Sequence, residues 1–370
     1  MALDAVIVGG GYAGLAAATR LVRGGVRVTL LDRRTAFLDR VGLHHCVNAP
    51  LEDLLTPYEE LARRHGFAFR RLELPLEEHR LAQWRWQGRV IFGDPAGESL
   101  PFDHLVIAGG SRPVSLPGTK DPRVIHQAQV EAEGLAEKLG EYLLATDPRR
   151  RTLTVVGGGA TGTQFLFELD DWLRARHQRC PLNWVFREAR PLAEFPVGFA
   201  RYVTDKLQGR RGTIAVYPAT TFLGQTGERL RLAGPQGEFQ RISGLTLLFA
   251  GLKPVVEFQA DPFGRLWLDG EARPNLWGAG DGVRFPGGFD ALTAQAALRK
   301  GWRVADNILA HGAGRAPTAY DYRPGGYFVS LGYGDGVGWL ASRNIVLTGL
   351  AALAIKEASE TALGLWLGAS

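Results

Sequence analysis

The sequence predicts an α/β fold made of two copies of one strand–turn–helix unit, and three observations predict it. An apolar strand at 5–8 runs through Gly9-Gly10-Gly11-Tyr12-Ala13-Gly14 into an apolar helix that begins Leu15-Ala16-Ala17-Ala18. The same turn returns at Val155-Val156-Gly157-Gly158-Gly159-Ala160-Thr161-Gly162, with Gly157, Gly159 and Gly162 at the spacing of Gly9, Gly11 and Gly14. The first unit is completed by a second strand, 26–31, which ends in Asp32 and is followed by Arg33.

Each glycine has a mechanical reason. Gly9 lets the chain turn tightly off the strand, Gly11 has no side chain to hold a pyrophosphate away, and Gly14 lets the helix lie close to the strand. The helix then points free N–H groups and the positive end of its dipole at the phosphates. Tyr12 and Ala13 open that helix, and Asp32 stands where an acid accepts a ribose hydroxyl. In the second unit a helix is expected from 163 to about 176 and a strand over 182–186, followed by Arg187 and Glu188. Glu188 there suits the ribose of NADH, whereas Arg187 suits the 2′-phosphate of NADPH, and both readings stay open. Two such turns in one chain imply two dinucleotides.

Composition is that of an ordinary folded protein, with 45% hydrophobic and 22% charged residues among 370. The net charge of +5 carries no interleaved basic and aromatic signature, which sets nucleic acid aside as a partner. Cys46 and Cys180 are the only cysteines, so a disulfide scaffold and a multi-cysteine metal centre are excluded. No window reaches the roughly 18 uninterrupted apolar residues of a spanning helix. The first strand begins at once, without the pattern of a cleaved leader. These features predict a cytoplasmic protein, or one peripheral on the inner face of the cell membrane.

Along the chain, a helix is expected over 51–64, and alternation at Gln83-Trp84-Arg85-Trp86-Gln87 reads as a strand with both tryptophans on one face. His44-His45-Cys46 lacks helical metal spacing, and adjacent side chains of an extended strand point apart, so no metal is assigned and cofactor contact is the preferred reading. The strand over 100–108 ends at Ala108 and Gly109, small residues beside a ligand path. A linker at 113–122 and a helix at 127–144 lead to the second turn.

These residues resemble flavoproteins with two dinucleotide-binding domains, in which the first turn binds FAD and an inserted domain binds NAD(P)H. Asn275-Leu276-Trp277-Gly278-Ala279-Gly280-Asp281 is similar to the strand that presents an aspartate to the flavin's ribityl chain, with Gly280 beside it. The resemblance implies two Rossmann-like domains: an FAD part at 1–115 and 256–325, an NAD(P)H domain at 116–255, and a short helical C-terminal region at 326–370. Within that group the chain resembles type II NADH dehydrogenases. Three stretches carry the likeness: 247–254 with its Gly251, 291–301 with Thr293, Ala294 and Gln295, and 327–332. The implied activity is electron transfer from NAD(P)H through FAD to a quinone. Ala294 and Gln295 border the quinone pocket, and Gln164 holds the place where the family usually has a glutamate.

Glutamine can hydrogen-bond but cannot carry a proton, so that place departs from the family. Residues 344–367 are expected to form one amphipathic helix, or two around Gly364. The helix lies on a membrane surface, with Trp339, Lys356 and Trp366 as anchors, against a second subunit of a homodimer, or on the protein's own core. A ferredoxin or rubredoxin reductase is the alternative enzyme, and a flavin-bound sensor with little turnover is the alternative outside catalysis.

Overall fold

The computed structural model describes residues 3–92, 97–116, 118–210, 212–287 and 291–367. The first sheet takes β1 (Asp4–Val8), β2 (Arg27–Asp32), β3 (Ala68–Arg71) and β4 (His104–Ile107) from the N-terminal part of the chain. The second is wholly parallel and takes β5 (Val124–His126), β6 (Leu153–Val156), β7 (Leu182–Val185), β8 (Ile214–Tyr217) and β9 (Leu245–Leu248). The chain then returns to the first sheet with β10 (Arg265–Leu268) and β11 (Glu271–Gly278). The spatial orders are β10-β11-β4-β1-β2-β3 and β5-β9-β6-β7-β8, so the second sheet is an insertion in the first. The crossings between them, Ser111–Pro113 and Leu252–Pro254, pair with each other antiparallel.

Burial explains why β1 and β6 are central. Ala5 to Val8 and Leu153 to Val156 are buried at every position, as strands covered on both faces must be. α1 (Tyr12–Arg23) follows β1 and α2 (Ala160–Ala175) follows β6. α3 (Ala294–Gly312) returns across α1, and a Cβ on Gly301 of α3 would stand 2.2 Å from the Ala13 carbonyl oxygen. That backbone approach is open only to glycine.

Several local expectations give way to tertiary structure. Residues 83–87 belong to the helix Glu78–Gln87, with Trp84 1% and Trp86 85% exposed. Leu81 and Trp84, one helical turn apart, are both buried, and Gly88 closes the helix in the left-handed region. The expected helix at 51–64 starts only at Tyr58, after a 3₁₀ turn Leu51–Leu54 and a short strand Leu55–Pro57. The helix at 127–144 is two helices, Gln127–Glu133 and Ala136–Ala145, parted by Gly134 at φ +74°. The strand over 100–108 is split into Ser99–Pro101, paired with Arg89–Ile91, and β4.

The C-terminal region is only half helical. β12 (Gly326–Ser330), β13 (Gly336–Leu340) and β14 (Ser342–Thr348) form an antiparallel sheet, and the helix α4 (Gly349–Leu367) begins after it. Two expected membrane anchors point inward, Trp339 at 5% and Lys356 at 5% exposed, while Trp366 packs edge-on against Trp302. Among the described residues of α4, Leu350 and Leu365 are exposed large apolar side chains. No helix among the described residues is long and apolar enough to cross a membrane.

Candidate functional site

The two glycine turns have the same construction. Gly9 and Gly157 leave their strands at φ +106° and +130°, where a side chain is strained. The Gly9 N–H donates to the Leu31 carbonyl and the Gly157 N–H to the Val185 carbonyl, so each turn is pinned to the neighbouring strand. A Cβ on Gly14 would lie 1.8 Å from the Gly9 oxygen, and one on Gly162 2.2 Å from the Gly157 oxygen. Neither N-cap, Gly11 or Gly159, has a side-chain capping bond. A Cβ on either meets no atom within 4 Å. Open space over uncapped helix N-termini fits a pyrophosphate at both places.

Around the first turn, Asp32 accepts from the Gly10 N–H at 2.6 Å and from the Arg34 N–H at 2.8 Å. Its oxygens keep lone pairs beyond these bonds, which a ribose hydroxyl could use. Tyr58, buried, donates its hydroxyl to the Gly10 carbonyl at 2.8 Å. Tyr12 donates to Asp39 at 2.6 Å, and burial together with that carboxylate holds its phenol well above the ordinary value. Arg33 is exposed and pairs only at 3.5 Å with exposed Glu73. Ala108 closes the far wall, since a Cβ on Gly9 would lie 2.2 Å from its carbonyl oxygen; a Cβ on Gly109 would strike Leu76.

The strand ends opposite this turn meet at Asp281, which accepts from the Ser111 hydroxyl at 2.6 Å. Lys300, 2% exposed, donates to the carbonyls of Val283 at 2.6 Å and Gly280 at 3.3 Å and so holds the backbone around Asp281. Thr293 caps α3 by accepting from the Ala296 N–H at 3.2 Å. Ala294 opens the helix, and Gln295 accepts from the Tyr322 hydroxyl at 3.0 Å. Arg40 and Arg34 converge on Glu131, whose side chain is 2% exposed, at 2.8 and 3.5 Å. Ser111, Lys300, Tyr58, Arg40 and Glu131 carry no local motif, and their partners lie up to 170 positions away. The sequence signals are slight: Ser111 follows Gly109-Gly110 and Lys300 precedes Gly301.

The second turn differs from the first at the end of its neighbouring strand. With Gly9 bonded to Leu31 and Gly157 to Val185, the residue matching Asp32 is Phe186, buried against Gly158. Arg187 and Glu188 follow as an exposed pair 3.8 Å apart. Gly251, at φ +91°, follows β9 beside this turn with open space where a Cβ would be.

Gln164 lies on α2 and Gln295 on α3, and the two share no hydrogen-bond partner among the described residues. Its amide nitrogen is 2.8 Å from His44 Nδ1. His44, His45 and Cys46 lie on a 3₁₀ turn, Leu43–Val47, whose tight winding keeps the two imidazoles 4.1 Å apart, centre to centre. The argument that adjacent side chains point apart does not hold on this turn. His44, His45 and Glu168 bring ligand atoms within 4.8 Å of one another, but the Lys356 ammonium stands 3.4 Å from His44 Nε2 and takes the place of a cation. Burial pushes the thiols of Cys46 and Cys180 up to about 11 and about 12, so neither is a ready nucleophile.

Residues 3–258 match the family described as pyridine nucleotide-disulphide oxidoreductase. The chain belongs to that family. It is an oxidoreductase, and it follows the family's architecture without a redox pair of cysteines. A Staphylococcus haemolyticus protein named type II NADH:quinone oxidoreductase is 23% identical over 389 residues, covering 96% of this chain and 94% of that protein. A Staphylococcus aureus protein of the same name is 25% identical over 394 residues, with the same coverage of 96% and 94%. Among solved structures, NDH2 from Plasmodium falciparum in complex with NADH superposes with a TM-score of 0.82 at 12% identity, over 98% of this chain and 95% of that one. The sulfide:quinone oxidoreductase of Aquifex aeolicus superposes with a TM-score of 0.77 at 18% identity, over 99% and 91%. These likenesses show the fold of the family, two dinucleotide-binding domains with one inserted in the other.

Proposed function

We propose that this oxidoreductase passes electrons from NADH, through FAD, to a quinone. The observation that carries it is the presence in one chain of two open, uncapped glycine turns, one on each sheet. The naming of the staphylococcal relatives supports the donor and the acceptor.

In this reading Gly9, Gly11, Tyr12, Ala13, Gly14 and Asp32 hold the adenine-nucleotide half of FAD, with Arg33 at its exposed edge. Ala108 and Gly109 line its path, and Gly280 and Asp281 hold its ribityl chain. FAD supplies the two-electron chemistry that links a hydride donor to a quinone. Thr293 and Ala294 offer the N-terminus of α3 to negative charge, and its dipole favours an anion there. Gly157, Gly159, Gly162 and Gly251 admit the nicotinamide nucleotide, with Arg187 and Glu188 at its ribose. Gln295, oriented by Tyr322, borders the quinone. Parts 1–115 and 256–325 form the FAD domain, 116–255 the nicotinamide domain, and 326–370 the membrane- or subunit-contact region; Leu350 and Leu365 are its apolar contacts.

Anaerobic mixing of the flavin-loaded protein with NADH, and separately with NADPH, tests this. Bleaching of the flavin that a soluble quinone reverses is the expected result, with NADH the faster donor. Absence of bleaching by either nucleotide overturns it.

A further inference from the structure

A cavity of about 430 Å³ lies between α1 and α3, bounded also by the segment 320–322 and by Trp366 near the end of α4. α1 lends it Arg20 and Arg23 from its last turn. α3 lends Arg299, Trp302, Arg303 and Asp306, which share one helical face by their spacing. No lining residue belongs to either glycine turn or is assigned above to FAD or to a nucleotide.

The lining carries an excess of positive charge, four guanidiniums against the carboxylates of Asp306 and Asp321. Arg20 Nε stands 2.7 Å from Asp306 Oδ1, so that pair cancels. Asp321 lies 3.9 Å from Arg323, which does not line the cavity. Among the described residues, Arg23, Arg299 and Arg303 have neither an ion-pair partner nor a side-chain hydrogen bond.

Helix ends account for one of the three. Arg23 closes α1, where the C-terminal end of the dipole favours a cation. Arg299 and Arg303 stand in the interior of the 19-residue α3, one turn apart, where the dipole does not help and each repels the other. Arg299 is nonetheless held in place. Its guanidinium carbon lies 5.3 Å from the centre of the Trp302 ring and 5.6 Å from that of Tyr322. Trp302 meets Trp366 edge-on at 6.2 Å, and Tyr322 is anchored by donating to Gln295 at 3.0 Å. The cavity therefore joins like charges, whose hydrogen-bond donors are unclaimed, to an ordered aromatic lining.

We propose that this cavity is a binding site for a phosphate group, held by Arg23, Arg299 and Arg303, whose attached body lies against Trp302 and Trp366. The planar forks of the guanidiniums match the oxygens of a phosphate, and its negative charge removes the repulsion between them. Soluble phosphoesters and the headgroups of anionic phospholipids share this chemistry. Leu365, exposed beside Trp366, offers an acyl chain an apolar surface at the cavity's edge. The site stands independently of the electron-transfer reading, because binding is read without turnover.

Isothermal titration of the flavin-loaded chain with glycerol phosphate, and separately with short-chain phosphatidylglycerol below its micelle concentration, tests the site and separates the two sources. Binding of both probes assigns the phosphate itself; binding of the lipid alone assigns a phospholipid headgroup. Either result supports the site, provided that binding weakens with added salt and falls with the arginines. Arg303→Gln should weaken it about 10-fold, and Arg299→Gln combined with Arg303→Gln about 10²-fold, one charge-assisted hydrogen bond being lost at each position. Gly159→Val, which fills the second glycine turn, should leave it unchanged. Arg303→Gln removes no recorded partner and relieves repulsion from Arg299, so the ligand-free melting midpoint should hold or rise. No binding of either probe to the wild type overturns the proposal, as does binding that survives the double variant or disappears in Gly159→Val. A lower ligand-free midpoint in Arg303→Gln assigns that arginine to the fold and overturns it too.

Discussion

The Ser111 hydroxyl donates to the Asp281 carboxylate at 2.6 Å, joining the first crossing strand to the turn after β11. The bond orients a carboxylate at the meeting point of β4, β11 and the crossing pair. A hydrogen bond to a charged group contributes about 1.5–3 kcal/mol. Ser111→Ala should therefore weaken flavin retention by roughly 10- to 100-fold. Asp281→Ala should yield protein with little flavin. The ratio of flavin to protein absorbance after dialysis measures both.

The glycines of each turn divide by what surrounds them. Gly11→Val and Gly159→Val introduce side chains at positions where a Cβ meets no protein atom within 4 Å. Both variants should fold, the first without flavin and the second with flavin that NADH no longer bleaches. Gly14→Ala and Gly162→Ala place a Cβ 1.8 and 2.2 Å from backbone oxygens, so both should lower the thermal midpoint before ligand is considered. Circular-dichroism melts of the flavin-free chains separate the two classes.

Burial raises the Glu168 carboxyl from its ordinary 4.5 to about 7. Over that interval the folded chain holds a proton that the unfolded chain releases, so its contribution to stability falls as pH climbs from 4.5 to 7. His44 and His45, held low chiefly by burial, act in the opposite sense, with stability rising as pH climbs toward the unfolded imidazole value. The informative quantity is therefore the difference between wild type and Glu168→Gln. Urea melts should show no gain for the variant at the acid end. Near neutral pH they should show a gain on the order of 2 kcal/mol, allowing for partial exposure.

Trp84 and Trp86 make opposite predictions from opposite faces of one helix. Truncating buried Trp84 to alanine should cost about 3–5 kcal/mol. The same change at Trp86, 85% exposed, should stay within about 0.5 kcal/mol. Equal losses in denaturant melts would favour the strand that the alternating sequence suggested.

The two glycine turns and Asp32 were legible in the sequence because their requirements are local. A positive φ, a backbone oxygen standing where a Cβ would be and an uncapped helix end each select a residue type at a set spacing. The place of Asp281 after its strand came from the resemblance to flavoproteins, and the spatial order of the strands in either sheet came from the structure alone. What the local pattern misread was decided at a distance. Gln83-Trp84-Arg85-Trp86-Gln87 alternates like a strand, yet burial of Trp84 beside Leu81 selects the helix. Lys356 has the composition of a surface anchor on a C-terminal helix, but packing turns it inward to His44, 312 positions away. Phe186 stands where Asp32 stands in the first unit, which only the register of β6 against β7 reveals. Turn chemistry is written within a dozen residues. The pairing of His44 with Gln164 and Lys356, like that of Ser111 with Asp281, exists only once three separate elements are packed, because the cost of burying each polar group is met by partners the chain reaches through folding.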